Sequence, residues 1–367
     1  ESAAIQGITI GTVRTQLKRV FVKVGVRRQA ELLQAVYASP LWLDAAPAAV
    51  RPLAPDIARL PARSEDPAEG FRLADGRWLA YSDSGDPNGL PVIFMHGIAG
   101  SRHLRHPDDD ILLSHGIRLV IPERPGSGDS DPSPGRAVAD WPRDVAALAE
   151  HLGLGRFVVL GYSMGTPYAL ATALALPAQV ASVFIVAAMP PIERLEDLRD
   201  YAPTFRMSLL VAKYAPTLLP PLLRVMVKSI RSNVHRYIDL ALEGATESDR
   251  QVFQHARLRA SYAHGLLAGV KRGERDLVLE VLLAAGQWGF DPSDITTPVC
   301  LWHGEADRLV APGGAHRLAA RMPGARLIMT PDAGHYVLYS HWPEILADVR
   351  AAASRSENPP STLAKLG

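Results

Sequence analysis

The five residues GYSMG (161–165) constrain this chain most, because they stand between a predicted buried strand and a predicted helix. The apolar run RFVVL (156–160) leads into them, and TPYALATALAL (166–176) follows. Such a strand-turn-helix unit strains the backbone of its central residue, and only small neighbours allow the close packing that results. The pattern predicts that Ser163 is held above a sheet at the amino end of a helix, where partial positive charge favours an anion. The alternative is a glycine-rich turn with a capping serine.

A serine hydroxyl is a weak nucleophile at neutral pH, so it needs a base, and the base needs an orienting acid. His335 follows the apolar strand ARLIM, and Asp307 follows the strand PVCLW. Carboxyl ends of parallel strands meet at one edge of a sheet, so we predict that Ser163, His335 and Asp307 converge as nucleophile, base and acid. Two alternatives stay open at this point. Glu305 could be the working acid, and Asp307 could form only an Asx turn.

The tetrahedral oxyanion formed by serine attack needs backbone N–H donors. Met164 follows the nucleophile, and Ile98 lies in the flexible HGIAG segment (96–100) after the strand PVIFMH. We predict that these two residues form the oxyanion hole. Tyr162 and Tyr336 flank catalytic residues and are candidates to line the substrate pocket, with packing beneath a lid as the alternative.

From Phe71 onward, short apolar strands alternate with segments that can form helices. Asp75-Gly76 signals a tight hairpin turn within FRLADGRWLAYS. Buried strands are predicted at 91–96, 117–123, 156–161, 180–188, 298–304 and 325–331. This alternation predicts an α/β fold with a mostly parallel central sheet that is covered on both faces.

Residues 190–290 contain no convincing strand and are rich in Leu, Ala, Arg and Pro. They interrupt the sheet, so we predict an inserted helical lid over the edge where open α/β sheets bind ligands. The lid divides the predicted core into residues 70–189 and 291–353. Residues 354–367 are predicted to form a flexible tail.

Five spaced motifs, HGIAGSR, ERPGSGDSDP, GYSMG, WHGEAD and AGHY, together resemble the α/β-hydrolase superfamily over about residues 70–353. The resemblance implies the α/β-hydrolase fold and hydrolysis through an acyl-enzyme, with Ser163, Asp307 and His335 on the triad positions. A serine nucleophile disfavours the haloalkane-dehalogenase and epoxide-hydrolase branches, which use a carboxylate. Glu123 departs from the Asp of many relatives, a difference expected to affect loop bracing more than chemistry.

Residues 1–39 are predicted to be a short all-α segment that precedes a Pro/Ala-rich linker at 40–69. Residues 8–36 resemble the second half of a LuxR-type helix-turn-helix. The resemblance implies phosphate contacts by basic residues, namely Arg14, Lys18, Lys23 and Arg27. The supporting first helices are missing apart from residues 2–6, so we expect a complete DNA-binding domain in the intact gene product and weak DNA binding by this chain. A basic amphipathic helix pair is the alternative.

Bulk charge limits the partners, because 39 Lys and Arg nearly balance 38 Asp and Glu. No global field recruits nucleic acid or a membrane, and a DNA partner is expected only through the basic N-terminal segment. Cys300 is the single cysteine, and no apolar run has membrane-spanning length, so a cytoplasmic protein is expected. No metal cluster or phosphate-cradling loop occurs, so no metal and no cofactor are expected; a homodimer is compatible with the sequence.

These observations predict a serine hydrolase of a small apolar ester, thioester or lactone, fused to a DNA-binding-like module. The alternative is a ligand-sensing transcriptional regulator whose hydrolase domain mainly binds a small molecule. The same three catalytic residues could also serve C–C-bond or perhydrolase chemistry, so the substrate is left open by the sequence.

Overall fold

The computed structural model describes residues 69–357, in which eight strands form one sheet. The strands are β1 Gly70–Arg72, β2 Trp78–Gly85, β3 Leu90–Met95, β4 Ile117–Pro122, β5 Phe157–Tyr162, β6 Val180–Val186, β7 Val299–Gly304 and β8 Arg326–Thr330. Their spatial order is β1-β2-β4-β3-β5-β6-β7-β8. β2 is antiparallel to β1 and β4, and the other neighbouring pairs are parallel. The predicted α/β class with a mostly parallel sheet is therefore confirmed.

The predicted strands form because the pattern of apolar residues in each strand matches the burial of that strand in the sheet. β5 and β6 are buried at every position, which is why they read as continuous apolar runs rather than alternating ones. β1 and β2 form the predicted hairpin, with Gly76 at φ +86° in its turn. That backbone conformation favours glycine.

Twelve α-helices accompany these strands within residues 69–357. They are α1 Asp109–Ser114, α2 Trp141–His151, α3 Thr166–Ala175, α4 Pro203–Tyr214, α5 Leu219–Ser232, α6 Val234–Leu242, α7 Glu247–Gln254, α8 Ala256–Gly269, α9 Arg275–Ala285, α10 Pro312–Arg321, α11 Val337–Ser340 and α12 Trp342–Glu357. α3 packs on β5 and β6, and α12 packs on β6. None of these described helices combines the length and apolar character needed to cross a membrane.

The insertion between β6 and β7 consists of α4 to α9 and short 3₁₀ turns, which confirms the predicted helical lid. We call residues 190–290 the lid. Its helix α7 packs against α11, and its helix α8 packs on the segment after β3, where the Ser101 hydroxyl donates to Gly265 O. The lid thus contacts loops that follow the carboxyl ends of β3 and β8.

Three predicted segments fall wholly or partly outside the described residues. These are the N-terminal segment 1–39, the linker 40–69 except its last residue, and most of the tail 354–367. The predicted start of the tail was wrong, because α12 continues to Glu357. Its buried face includes Ile345, Leu346, Val349 and Ala353, and no glycine or proline follows the first-turn Pro343 until Pro359.

Candidate active site

Ser163 lies at the point where β5 turns sharply into α3. Its backbone has φ +51°, a conformation that few non-glycine residues adopt. A Cβ on Gly165 would lie 2.0 Å from Met95 O, and a Cβ on Gly161 would lie 2.8 Å from the Ala169 Cβ. The two glycines are therefore required by close packing, as the pattern GYSMG predicts.

The loop after β8 brings His335 to this serine, 172 residues along the chain. His335 Nε2 lies 3.1 Å from Ser163 Oγ, within hydrogen-bonding distance, so the hydroxyl can donate its proton to the ring. Ser163 is 8 % exposed and His335 is 4 % exposed. The pair is therefore largely shielded from bulk water.

Asp307, in the loop after β7, completes a chain of hydrogen bonds. Its Oδ2 accepts from His335 Nδ1 at 2.8 Å, while its Oδ1 accepts from the backbone N–H groups of Leu309 and Val310 at 2.8 and 2.9 Å. One oxygen thus forms the Asx turn and the other contacts the imidazole, so Asp307 does not form only a turn; its role as the acid stays a prediction. Glu305, the alternative acid, is exposed.

The electrostatic surroundings favour an imidazolium next to a carboxylate. Burial alone would lower the pKa of His335, but the negative charges of Asp307 and Asp249 raise it above its ordinary value. Burial would likewise raise the pKa of Asp307, yet the adjacent imidazole lowers it. The directions of the two pKa shifts therefore favour a protonated His335 next to an ionised Asp307.

The two residues predicted to form the oxyanion hole come from two segments that meet at Ser163. Met164 follows Ser163 in a 3₁₀ turn and is buried. The oxyanion loop, residues 96–100, approaches from β3, and a Cβ on Gly97 would lie 3.7 Å from the Ser163 Cβ. Ile98 in this loop is half-buried. Met164 is thus adjacent to Ser163, and the loop that contains Ile98 approaches Ser163 at Gly97; the donor roles of Met164 and Ile98 stay predictions.

Arg124, which follows β4, holds the oxyanion loop through two hydrogen bonds. Its guanidinium donates to the carbonyls of His96 and Gly97 at 2.6 and 3.0 Å. Its Nε donates to Glu280 of lid helix α9 at 2.9 Å. Sequence reasoning did not identify this link, because a single glutamate in an amphipathic helix looks like a solvated residue.

Glu280 is a buried carboxylate held by two arginines. Arg136 also donates to it, as does the Tyr168 hydroxyl at 3.0 Å. Burial would raise the pKa of Glu280, but Arg124 and Arg136 outweigh this effect and lower it to about 2. The carboxylate therefore stays charged and binds the lid to the core.

The two tyrosines predicted to line the pocket lie against His335. The ring centroids of Tyr162 and Tyr336 are 5.6 and 5.8 Å from that of His335. Tyr336 also stacks edge-on with Phe253 and Tyr262 of the lid. Tyr336 therefore packs beneath the lid, and the lining of a substrate pocket by Tyr162 and Tyr336 stays a prediction.

Other sequence predictions concern loop bracing and metals. Glu123 accepts from the backbone N–H groups of Arg102 and Asp129, so it braces two loops as expected. His303 ends β7 and bonds to Val310 O. Within residues 69–357 no group of three or more His, Cys, Asp or Glu side chains is placed to hold a metal ion. Residues predicted to contact DNA, Arg14, Lys18, Lys23 and Arg27, lie outside the described residues.

Comparison with protein families finds one match that covers most of the chain. The profile of a family described as alpha/beta hydrolase fold matches residues 91–341, which include Ser163, Asp307 and His335. A pimeloyl-[acyl-carrier protein] methyl ester esterase of Nitrosomonas europaea is 27% identical over 260 residues, 68% of this chain and 89% of that protein. A non-heme chloroperoxidase of Streptomyces lividans is 40% identical over 121 residues, 32% of this chain and 44% of that protein. The chain thus spans less than half of the chloroperoxidase.

Two solved structures resemble the described architecture. The esterase EaEST from Exiguobacterium antarcticum superposes with a TM-score of 0.57 at 17% identity, over 78% of this chain and 99% of that chain. The enol-lactonase from Burkholderia xenovorans LB400 also gives 0.57 at 17% identity, over 78% of this chain and 100% of that chain. At this level of identity the likeness shows the fold alone.

Proposed function

Because this chain belongs to the alpha/beta hydrolase family and is a hydrolase, we propose that it cleaves small, mostly apolar esters, thioesters or lactones through an acyl-enzyme on Ser163. The observation that carries this proposal is the continuous chain of hydrogen bonds from Ser163 through His335 to Asp307. It provides a nucleophile, a base and an orienting acid in contact with one another.

In the proposed first step, Ser163 Oγ bonds to the substrate's carbonyl carbon while its proton moves to His335 Nε2. The carbonyl electron pair moves onto oxygen, and the N–H groups of Ile98 and Met164 stabilise that oxyanion. Collapse of the intermediate expels an alkoxide or thiolate, which takes the proton from His335. In a lactone the leaving hydroxyl stays attached to the acyl group.

The second step returns the enzyme to its starting state. A water molecule gives a proton to His335 and attacks the acyl carbon, and the second oxyanion collapses to release the carboxylic acid. Ser163 then regains its proton from His335. Asp307 stays ionised throughout and stabilises the imidazolium in both steps.

Two observations support an apolar, uncharged substrate. The ring of Tyr336 contacts His335 edge-on, and two aromatic side chains of the lid, Phe253 and Tyr262, pack on Tyr336. The relatives and solved structures include proteins named as a methyl ester esterase and an enol-lactonase. Burial of a charged acyl chain against aromatic rings would carry a desolvation cost that an apolar chain avoids.

A fluorophosphonate probe and p-nitrophenyl esters test this proposal. The wild-type protein should be labelled on Ser163 and should hydrolyse the esters, and Ser163→Ala should lose both activities. Ser182→Ala is the matched control, since Ser182 is a buried serine near the amino end of β6, opposite Val158, and its hydroxyl makes no hydrogen bond among the described residues. A panel of acyl chain lengths and lactones would then define the substrate. Equal labelling of wild type and Ser163→Ala would refute the proposal.

We further propose that the basic N-terminal segment belongs to a DNA-binding module of a cytoplasmic protein, so that the hydrolase domain can also serve as a ligand sensor. The observation that favours this second function is the excess of basic residues in 1–38, which leaves the segment near +4 and the remainder near −3. A gel-shift assay of full-length Ser163→Ala, with and without bound ester or lactone, tests it. Mobility that does not respond to the ligand would contradict the sensor role.

A further inference from the structure

Asp249 of lid helix α7 reaches the backbone of the catalytic-histidine loop, residues 331–336. Its Oδ2 accepts from the His335 N–H at 3.2 Å, and its Oδ1 accepts from the Tyr336 N–H at 3.0 Å. The side chain is 3% exposed, although it comes from a helix of the lid. One buried carboxylate therefore joins the lid to the two residues that set the position of the imidazole.

The fit at this contact is tight on both sides. A Cβ on Gly334 would lie 1.9 Å from Asp249 Oδ2, so only glycine lets the loop approach the carboxylate. On the other side, the Thr246 side chain accepts from the Asp249 N–H at 3.1 Å and caps α7. Asp249 thus has little freedom to move, and its position fixes that of the loop.

The charge of Asp249 also acts on the imidazole. Asp307 contacts the ring directly, and Asp249 is a second negative charge that raises the pKa of His335. Burial raises the pKa of Asp249 itself, while the two backbone donors and the imidazole oppose that rise. Two carboxylates, one from the core and one from the lid, therefore favour the protonated ring.

We propose that Asp249 is a positioning residue for His335, which anchors the histidine loop to the lid and stabilises the imidazolium formed during catalysis. This inference rests on the proposed serine-hydrolase function. It adds to that function the requirement that the lid packs on the core, because a lid residue holds the loop that carries His335.

Other titratable groups also surround the ring and must be considered in any pH experiment. The groups that face His335 come from the carboxyl ends of three strands and the loops that follow them. They are Asp307 after β7, His303 in β7, Tyr162 in β5, Ser163 before α3 and Tyr336 before α11. Tyr262 of α8 and Tyr339 of α11 lie behind these groups. Asp307 and the lid residue Asp249 are the carboxylates that raise the pKa of His335.

Two variants separate the charge of Asp249 from its geometry. Asp249→Asn removes the charge and one acceptor, so kcat should fall about tenfold or more, with little change in KM, and the acidic limb of the kcat/KM profile should move to lower pH. Asp249→Glu keeps the charge but does not fit the space next to Gly334, so kcat should fall while the acidic limb stays in place. Either variant alone decides the inference if the other does not fold.

Glu247→Gln is the matched control, because Glu247 lies two residues away on α7, is exposed and pairs only with Arg250 among the contacts seen in the structure. It should keep the wild-type kcat and pH profile. If the wild type reacts with a fluorophosphonate and Asp249→Asn behaves as Glu247→Gln does, the positioning role is wrong while the hydrolase function stands. If the wild type neither reacts nor turns over esters, the hydrolase function itself has failed.

Discussion

Glu280 Oε2 of the lid accepts a hydrogen bond from Arg124 Nε of the core at 2.9 Å, and Arg124 also donates to two carbonyls of the oxyanion loop. Both side chains are almost fully buried, at 3% and 1% exposed. A buried ion pair thus joins lid helix α9 to Arg124, the residue that holds the oxyanion loop. Removal of one partner of a buried ion pair leaves the other charge buried without a counterion. A change at this contact should therefore affect both the stability of the protein and the geometry of the oxyanion loop.

We predict that Glu280→Gln destabilises the protein strongly. Removal of the carboxylate leaves Arg124 and Arg136 as buried charges without a counterion, and the free energy of unfolding should fall by about 3–5 kcal/mol. Urea unfolding monitored by tryptophan fluorescence measures this loss. Glu274→Gln is the control, because Glu274 pairs with an exposed Arg224 and its removal should cost at most about 1 kcal/mol. Equal losses in the two variants would contradict the assignment.

The same carboxylate predicts a loss of stability in acid. The pKa of Glu280 is lowered from 4.5 to about 2 in the folded protein. Between these values the unfolded chain binds a proton that the folded protein does not, so the contribution of Glu280 is present above pH 4.5 and declines as the pH falls toward 2. Unfolding experiments across this window should show a smaller decline in Glu280→Gln than in the wild type.

The prediction that Asp307, and not Glu305, is the acid that orients His335 can be tested by substitution of each carboxylate. Asp307→Asn keeps the shape of the side chain but favours the wrong imidazole tautomer, so kcat should fall by about 10⁴-fold. Glu305→Gln should retain wild-type turnover, because Glu305 is exposed and the carboxylate that contacts His335 belongs to Asp307. Ester hydrolysis by the two purified variants provides the measurement. A larger loss in Glu305→Gln would make Glu305 the working acid.

The pH dependence of activity should reflect the raised pKa of His335. The base must be neutral to accept the serine proton, and its pKa lies above the ordinary 6.5 because Asp307 and Asp249 outweigh the effect of burial. Activity should therefore decline as the pH falls through a midpoint above 6.5. The rate of fluorophosphonate labelling as a function of pH measures this midpoint without a contribution from product release. A midpoint below 6.5 would show that burial dominates.

Sequence patterns predicted the sheet, the lid and the turn at Ser163 because each has a local signature. Continuous apolar runs mark buried parallel strands, and the glycines around Ser163 mark a close approach of backbones. Asp249 and Glu280 have no such signature, since each is one acidic residue on an amphipathic helix. Their roles depend on which loop the helix meets after folding, a property of tertiary packing that no local pattern encodes. The start of the tail was placed too early, at 354, although the sequence contains no helix-breaking residue between Pro343 and Pro359.

The close packing of Gly269 on the oxyanion loop leads to a test of the predicted donor Ile98. A Cβ on Gly269, at the end of α8, would lie 2.2 Å from Ala99 O and 2.6 Å from Gly100 O. Gly269→Ala should therefore displace the loop from its present position beside Ser163. Loss of one oxyanion donor typically lowers kcat by about 10²- to 10³-fold, so a decrease of up to that size is expected.

Gly244→Ala provides the control for this substitution, since Gly244 is also in the lid but a Cβ there would meet no atom within 4 Å. Its kcat should match that of the wild type. Labelling by a fluorophosphonate should slow in Gly269→Ala in parallel with kcat, because the tetrahedral phosphorus adduct uses the same donors. If Gly269→Ala folds and both rates are unchanged, the backbone of residues 97–100 does not supply the oxyanion donor, and the role predicted for Ile98 must pass to another group.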